Sequence, residues 1–488
     1  MNNIFDKLKN YSDSDYYAFH MPGHKRNLDL MDGTSPYRID ITEIDGFDDL
    51  HHAEGILRDA QERAARVYHA DETHFLVNGS TVGIISAILG TTEKGDSILV
   101  ARNCHKSVYH AIYLNELDPV YLYPKFDTEQ GLSTEIDAAD VQKALEEHPK
   151  IRAVMIVSPT YDGVVSDIEK IAEIVHAKGC PLIVDEAHGA HFGFDPYFPK
   201  SANIYGADLV INSLHKTLPA LTQTALLHVN GDMVKRRKVK QYLDMLQTSS
   251  PSYILMASID ACIGMLEETL ETHSDARSDY KYKNIFSEYA NRIEALRKDL
   301  KRLKYLKIIQ TDNTDRYDRS KFVISVKHAP MSSHELYEIL LHRYHLQMEM
   351  LAGTYVLAMT TVGDTQEGLD RLRDALLEID KEIDTKQGRP AAIETDLPLS
   401  GRQPALEKVW TIAEAVNRRD KIQKRSFEDS IGCISVEYAY LYPPGSPLIV
   451  PGERITKEAV EILHWYQEHD FSIEGLQSED GIEVWIDG

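Results

Sequence analysis

The chain has 488 residues, 43% of them hydrophobic and 27% charged, and carries a net charge of −24. The length exceeds one ordinary core and predicts two or three domains, while the acidity argues against a nucleic-acid binder, whose footprint is a basic face. Four scattered cysteines (Cys104, Cys180, Cys262 and Cys433) form no CxxC pair, and no apolar run reaches the roughly 18 residues of a membrane span. The N-terminus MNNIFDKLKNYSDSDYY has no signal-peptide core, so the expectation is a cytoplasmic protein with reduced thiols.

Residues 1–55 read as an arm. From about 60 to 230, short β-rich runs alternate with helical stretches: HFLVN (74–78), DSILVAR (96–102), AVMIVSPT (153–160), PLIVDEA (181–187), ADLVINS (207–213) and TALLHV (224–229). This alternation predicts an α/β protein with a mostly parallel sheet between helices, and such sheets bind ligands outside the carboxyl ends of their strands. Helical patterns then run to 305, completing a large domain over 56–305. KYLKIIQ, KFVISVK and YVLAMTTV predict a smaller α/β domain over 306–383. The Pro- and Gly-rich stretch 384–404 reads as a linker. Residues 405–488, with the stiff YPPGSPLIVPGE (442–453), form a C-terminal domain.

The distinctive polar clusters each follow a predicted strand. In NGST (78–81), Gly79 permits a tight turn. Ser80, Thr81 and the free N–H groups of the next helix can cradle a phosphate, or the hydroxyls can simply cap that helix. In RNCHKS (102–107), His105 sits where a helix begins and can stack on a flat heterocycle, ligate a metal or be structural. In VDEAHGAHFGF (184–194), Asp185 closes an apolar strand and needs a partner, which a protonated ring nitrogen would be. Ala187, two residues on, leaves room for a ring on the same face. Asp185, His188 and His191, with His20 and His24, also permit a metal site. The segment begins as a strand and lacks an HExxH frame, so no metal is expected.

In SLHKTLPALTQ (213–223), Lys216 follows the apolar run ADLVINS and precedes LPAL. A lysine held in an apolar pocket has a lowered pKa, and its neutral amine is a nucleophile suited to a Schiff base with an aldehyde cofactor. Ser213 and His215 can serve that cofactor's phosphate. The bland alternative is a lysine reaching into solvent. Phosphate cradle, stacking histidine, buried carboxylate and nucleophilic lysine are together the requirements of pyridoxal 5'-phosphate.

FHMPGHK (19–25), DDLH (48–51), NGST, RNCHKS, SPTYDGVVSDI (158–168), VDEAHGAH (184–191), SLHK with LTQ, VGDTQ (362–366) and YPPGSPLIVPGE occur in the order in which they stand in one family. The chain resembles the Orn/Lys/Arg decarboxylases, pyridoxal-phosphate enzymes of the aspartate-aminotransferase-like fold with a seven-stranded type of sheet. The resemblance implies that Lys216 anchors the cofactor, Asp185 pairs with its ring nitrogen and His105 stacks on the ring, with Ala187 on the opposite face. It implies that Gly79, Ser80, Thr81, Ser213 and His215 serve the phosphate, that Thr160 lies near the phenolic oxygen, and that His188 counts among the cofactor-binding residues. The chain looks like the short form, without the N-terminal wing domain of larger members, which implies a homodimer or dimer of dimers. MEMLAGTYVLAM (348–359) keeps Glu349 but lacks an Asp associated with the following positions in short-form relatives, which bears on substrate choice.

The implied reaction is decarboxylation of a basic amino acid in polyamine metabolism, with arginine first, then lysine and ornithine. A cationic substrate tail wants a carboxylate. Glu349, Glu437 and the arm residues Asp45, Asp48 and Asp49 are the candidates, with His24 of the FHMPGHK arm also on the substrate side; the arm is expected to complete a neighbouring subunit's site. An aminotransferase or aldol-type lyase would keep the same cofactor residues, and a non-catalytic paralogue would keep the fold.

Overall fold

The computed structural model describes residues 13–25, 27, 29, 36–271, 281–309, 316–385, 403–418, 420–441, 445–469 and 471–486. Most of the expected linker at 384–404, and residues 442–444 of YPPGSPLIVPGE, lie outside the described residues.

The β-rich runs form one seven-stranded sheet: β1 (Glu72–Leu76), β2 (Ser97–Ala101), β3 (Asp118–Leu122), β4 (Ile151–Val157), β5 (Leu182–Asp185), β6 (Leu209–Asn212) and β7 (Ala225–Val229). Their spatial order is β1-β7-β6-β5-β4-β2-β3. Strands β3, β2, β4, β5 and β6 pair in parallel, and β7 runs antiparallel to both β6 and β1. The sheet is thus mostly parallel, as the unbroken apolar runs predict. Every residue of β5 and β6 is buried, because helices cover both faces.

Helix α1 (Ile56–Val67) precedes β1, α2 (Gly79–Thr91) follows it, and α3 (Lys106–Leu114) follows β2. Helix α2 lies close to its neighbours because it carries glycine where a side chain would clash. A Cβ on Gly83 would stand 2.7 Å from Leu76 of β1, and one on Gly90 would stand 2.6 Å from Val239 of the helix Arg236–Leu246.

A second, four-stranded sheet holds β8 (Lys307–Ile309), β9 (Lys321–Ser325), β10 (Met350–Leu351) and β11 (Tyr355–Met359), in the order β8-β9-β11-β10 with antiparallel pairing. The arm docks on this part of its own chain: Tyr17–Phe19 pairs in parallel with Leu346–Met348, and Phe19 is fully buried. The C-terminal residues build two three-stranded sheets and the helix Lys457–Glu468 around a separate apolar cluster that includes Ile449, Ile462 and Val484. Among the described residues, no helix is long and apolar enough to cross a membrane.

Candidate active site

The carboxyl ends of β4, β5 and β6 open into a cavity of about 360 Å³, lined by residues of the large, small and C-terminal parts of the chain. That volume suits a small organic molecule. Asp185 is the last residue of β5 and lies in register with Val157 of β4 and Ile211 of β6. One turn of helix, Leu214–Thr217, follows β6 and brings Lys216 to the same cavity.

Lys216 is enclosed by protein while facing the cavity. Burial pulls its ammonium below the ordinary lysine value, and Asp185 and Glu349 oppose that pull. Its Nζ lies 3.0 Å from His188 Nε2. Asp185 is 4% exposed. Its Oδ1 accepts the Ala187 N–H at 3.0 Å, and burial holds its carboxyl above the ordinary range despite Lys216. Ala187 itself lines the cavity.

His105 caps α3 from an extended backbone, its Nδ1 accepting the Ser107 N–H at 3.2 Å. Burial, with Lys216 nearby, pushes its pKa down to about 3, so the ring is neutral. A neutral, half-enclosed imidazole at the cavity wall is suited to stacking.

Helix α2 begins at Gly79, which has φ +72° and donates its N–H to Gln223 O at 2.9 Å. Asn78 stands at the N-cap without a side-chain hydrogen bond to the helix. Ser80 and Thr81 lie inside the first turn, not at the cap, and both line the cavity. Ser80 Oγ and Ser213 Oγ hydrogen-bond to each other. An uncapped helix N-terminus beside two convergent hydroxyls is a site for an anion. His215 donates from Nδ1 to Thr224 O at 3.0 Å and is pushed down to about 4, chiefly by burial. Its Nε2 is therefore an acceptor while the ring is neutral, and donation to a phosphate requires the cationic ring. Thr160 also lines the cavity, its Oγ1 accepting the Val164 N–H at 3.0 Å.

The donor set fits pyridoxal phosphate: an anion site, a buried carboxylate and an amine with lowered basicity face one cavity, with His105 on its wall. Among the described residues, no group of three or more His, Cys, Asp or Glu is arranged to hold a metal ion. His191 pairs with buried Asp318 at 3.1 Å.

The expected substrate-side residues fall elsewhere: none of His24, Asp45, Glu349 and Glu437 lines the cavity. Asp45 is exposed on the arm. Glu437 spends its oxygens on the backbone N–H groups of Gln477 and Glu483, at 2.8 and 2.7 Å. Glu349 accepts the Met21 N–H at 2.9 Å and the Tyr161 hydroxyl, fastening the arm beside the site. His24 lies in an arm turn, its carbonyl accepting the Asn27 N–H at 2.8 Å. Asp48 accepts four backbone N–H groups, from Asp49, Glu54, Gly55 and Leu57. Asp49 caps the turn that follows it.

Sequence reasoning passed over two residues at the site. Asp162 lines the cavity, accepts the Tyr355 hydroxyl at 2.5 Å and is pushed up to about 6 by burial. Lys321, the first residue of β9, is fully buried, and its Nζ lies 3.3 Å from His188 Nδ1. The C-terminal segment supplies a further wall through Leu441, Ser446, Leu448, Tyr466 and Phe471.

Comparison with known proteins gives a consistent result. The family model described as Orn/Lys/Arg decarboxylase, major domain, matches residues 2–339, and that of the C-terminal domain matches 402–484. The chain is 36% identical to the uncharacterized protein YaaO of Bacillus subtilis (strain 168), over 94% of this chain and 93% of that protein. It is 31% identical to the arginine decarboxylase of the same organism, over 94% of this chain and 92% of that enzyme. Among solved structures, the lysine decarboxylase LdcF of Francisella novicida superposes with a TM-score of 0.78 at 19% identity, covering 98% of this chain and 80% of that one.

Proposed function

The chain belongs to the Orn/Lys/Arg decarboxylase family, and on that premise we propose that it decarboxylates arginine to agmatine, with pyridoxal phosphate anchored at Lys216. Decarboxylation of a basic amino acid and use of pyridoxal phosphate follow from the family. The choice of arginine is supported by relatives named arginine decarboxylase that align over more than nine-tenths of this chain. The observation that carries the reading is the convergence of Lys216 and Asp185, from the ends of two adjacent parallel strands, on one cavity.

Bound there, the cofactor supplies an electron sink for the charge left on the substrate's Cα when carbon dioxide departs. Asp185 has the part of holding a proton at the ring nitrogen, since a carboxylate beside that nitrogen favours its protonated form. Ser80, Thr81, Ser213 and the open N–H groups of α2 would hold the phosphate, with Gly79 allowing close approach. His105 and Ala187 would pack against the ring, and Thr160, also on the cavity wall, would be a further contact for it. Lys216 would be the group to return a proton to the substrate's Cα, with His188 beside it as the second candidate. Leu441, Leu448 and Phe471 keep the cavity dry, which strengthens each electrostatic contact.

A homodimer, or a dimer of dimers, is part of this reading. Its support is the run of exposed apolar side chains Ile39, Ile44, Phe47 and Ile56 in and just after the arm. A cytoplasmic location is supported by the four free thiols.

The test is incubation with an equimolar mixture of arginine, lysine and ornithine. Agmatine as the main amine, with carbon dioxide release and no need for a keto acid, is the expected result. Cadaverine or putrescine as the main product moves the substrate, and dependence on a keto acid replaces the reaction with transamination.

A further inference from the structure

Two lysines, the buried Lys321 and the partly enclosed Lys216, flank one histidine. Lys216 Nζ lies 3.0 Å from His188 Nε2, and Lys321 Nζ lies 3.3 Å from His188 Nδ1. Burial, with Lys216 and Lys321 on either side, holds His188 well below its ordinary value, so the ring is neutral. A neutral imidazole has one donor nitrogen and one acceptor nitrogen, and an ammonium has donors only. His188 can therefore accept from one lysine alone. The other lysine can bond to it only as a free amine.

We propose that Lys321 keeps its charge and donates to Nδ1, so that His188 carries its proton on Nε2 and presents it to the free amine of Lys216. Lys321 is then a positioning residue for Lys216, acting through His188. The assignment deepens the reading of Lys216 as cofactor anchor and rests on it, because attack on an aldehyde needs the free amine.

The surrounding charges decide which lysine is the ammonium. Asp318 stands beside Lys321. Burial alone would raise its carboxyl, but His191, Lys321 and Ser320 bring it down to about 2. Asp185 stands beside Lys216, and there burial prevails and the carboxyl is held up. The firmly ionised neighbour thus belongs to Lys321. Glu349 lies near both lysines and does not discriminate between them. Asp162 adds a carboxylate on the Lys321 side, and Lys25 adds a repelling cation there. Burial brings Lys321 down to about 8, which leaves it largely protonated at neutral pH. His105 and His215 stay neutral on the cavity side.

The experiment uses cofactor-free protein with ¹⁵N-labelled histidine, His188 being assigned by the signal lost in His188→Gln. At pH 7 the wild type is expected to show His188 as the Nε2–H tautomer. Lys321→Met should abolish that preference and make Lys216 more basic. Its rate of combination with pyridoxal phosphate at pH 7, followed by absorbance, should fall about tenfold for each unit by which the Lys216 pKa rises above 7. Lys321→Arg should retain both the tautomer and the rate. An Nδ1–H tautomer or an imidazolium in the wild type overturns the proposal, and that result needs no variant to fold. An unchanged tautomer and rate in folded Lys321→Met overturns it equally. Failure to release agmatine, with the Nε2–H tautomer in place, would sink the substrate assignment and leave the role of Lys321 standing.

Discussion

Arg102 and Glu453 form an ion pair at 2.9 Å in which each side chain is only 1% exposed. It ties the end of β2, just before His105, to the C-terminal segment. Arg102 also donates to Pro447 O at 2.5 Å and Leu448 O at 3.2 Å, beside the cavity wall. Removing one member leaves a buried charge without its partner. Arg102→Met is expected to cost about 3–5 kcal/mol, and the double variant Arg102→Met/Glu453→Met to recover much of that. Urea unfolding measures both. A single variant within about 1 kcal/mol of wild type would show that the pair is not what joins these segments.

Glu349 has both oxygens engaged, by Tyr161 and by the Met21 N–H of the arm. These contacts fasten the arm, and the prediction is that Glu349 acts through them and not as partner of the substrate's tail. Glu349→Ala is expected to raise KM about tenfold, the scale of one hydrogen bond to a charged group, and Tyr161→Phe to raise it less. Comparing arginine with citrulline, its uncharged isostere, separates the two roles. An equal rise for both fits a fastened arm, and a rise confined to arginine would make Glu349 the cation's partner.

Burial holds His105, His215 and His228 neutral, with pKa values pushed to about 3, 4 and 3. An unfolded chain protonates them near 6.5. Below that pH the unfolded state binds more protons, so stability falls as pH drops from 6.5 towards 4. Each histidine is expected to withdraw about 3 kcal/mol by pH 4. His228 bonds only within the protein, to Thr73 Oγ1 at 2.8 Å and Asn212 Oδ1 at 3.0 Å. His228→Gln should therefore reduce the slope of stability against pH by about one proton. Urea midpoints of the cofactor-free protein between pH 7 and 4.5 measure this, and a flat profile would contradict it.

The positions of Asp185 and Lys216 at the ends of apolar strands were legible in the sequence because a buried strand reads as a continuous apolar run, and a charge at its end stands out. The order of strands and helices followed from the same pattern. Lys321 was not legible. It opens a strand, KFVIS, where a lysine ordinarily marks a solvated edge, and its contact with His188 spans 133 positions. The hydrogen-bond partners of Glu349 and Glu437 were not legible for a related reason. Sequence shows an acid near a motif but not the backbone N–H groups that claim it, and Met21 lies 328 positions from Glu349. The placement of C-terminal side chains such as Leu448 and Phe471 in the cavity wall is likewise a matter of long-range packing.

The central claim is that Lys216 is the covalent anchor of pyridoxal phosphate, and three buried or enclosed lysines stand close enough in environment to compete: Lys25, Lys216 and Lys321. Loading the protein with pyridoxal phosphate, reducing it with borohydride and mapping the digest by mass spectrometry tests the claim directly. The pyridoxyl mass is expected on the peptide carrying Lys216, and it should vanish in Lys216→Ala together with turnover. The mass on Lys25 or Lys321, with Lys216 unmodified, would contradict the account.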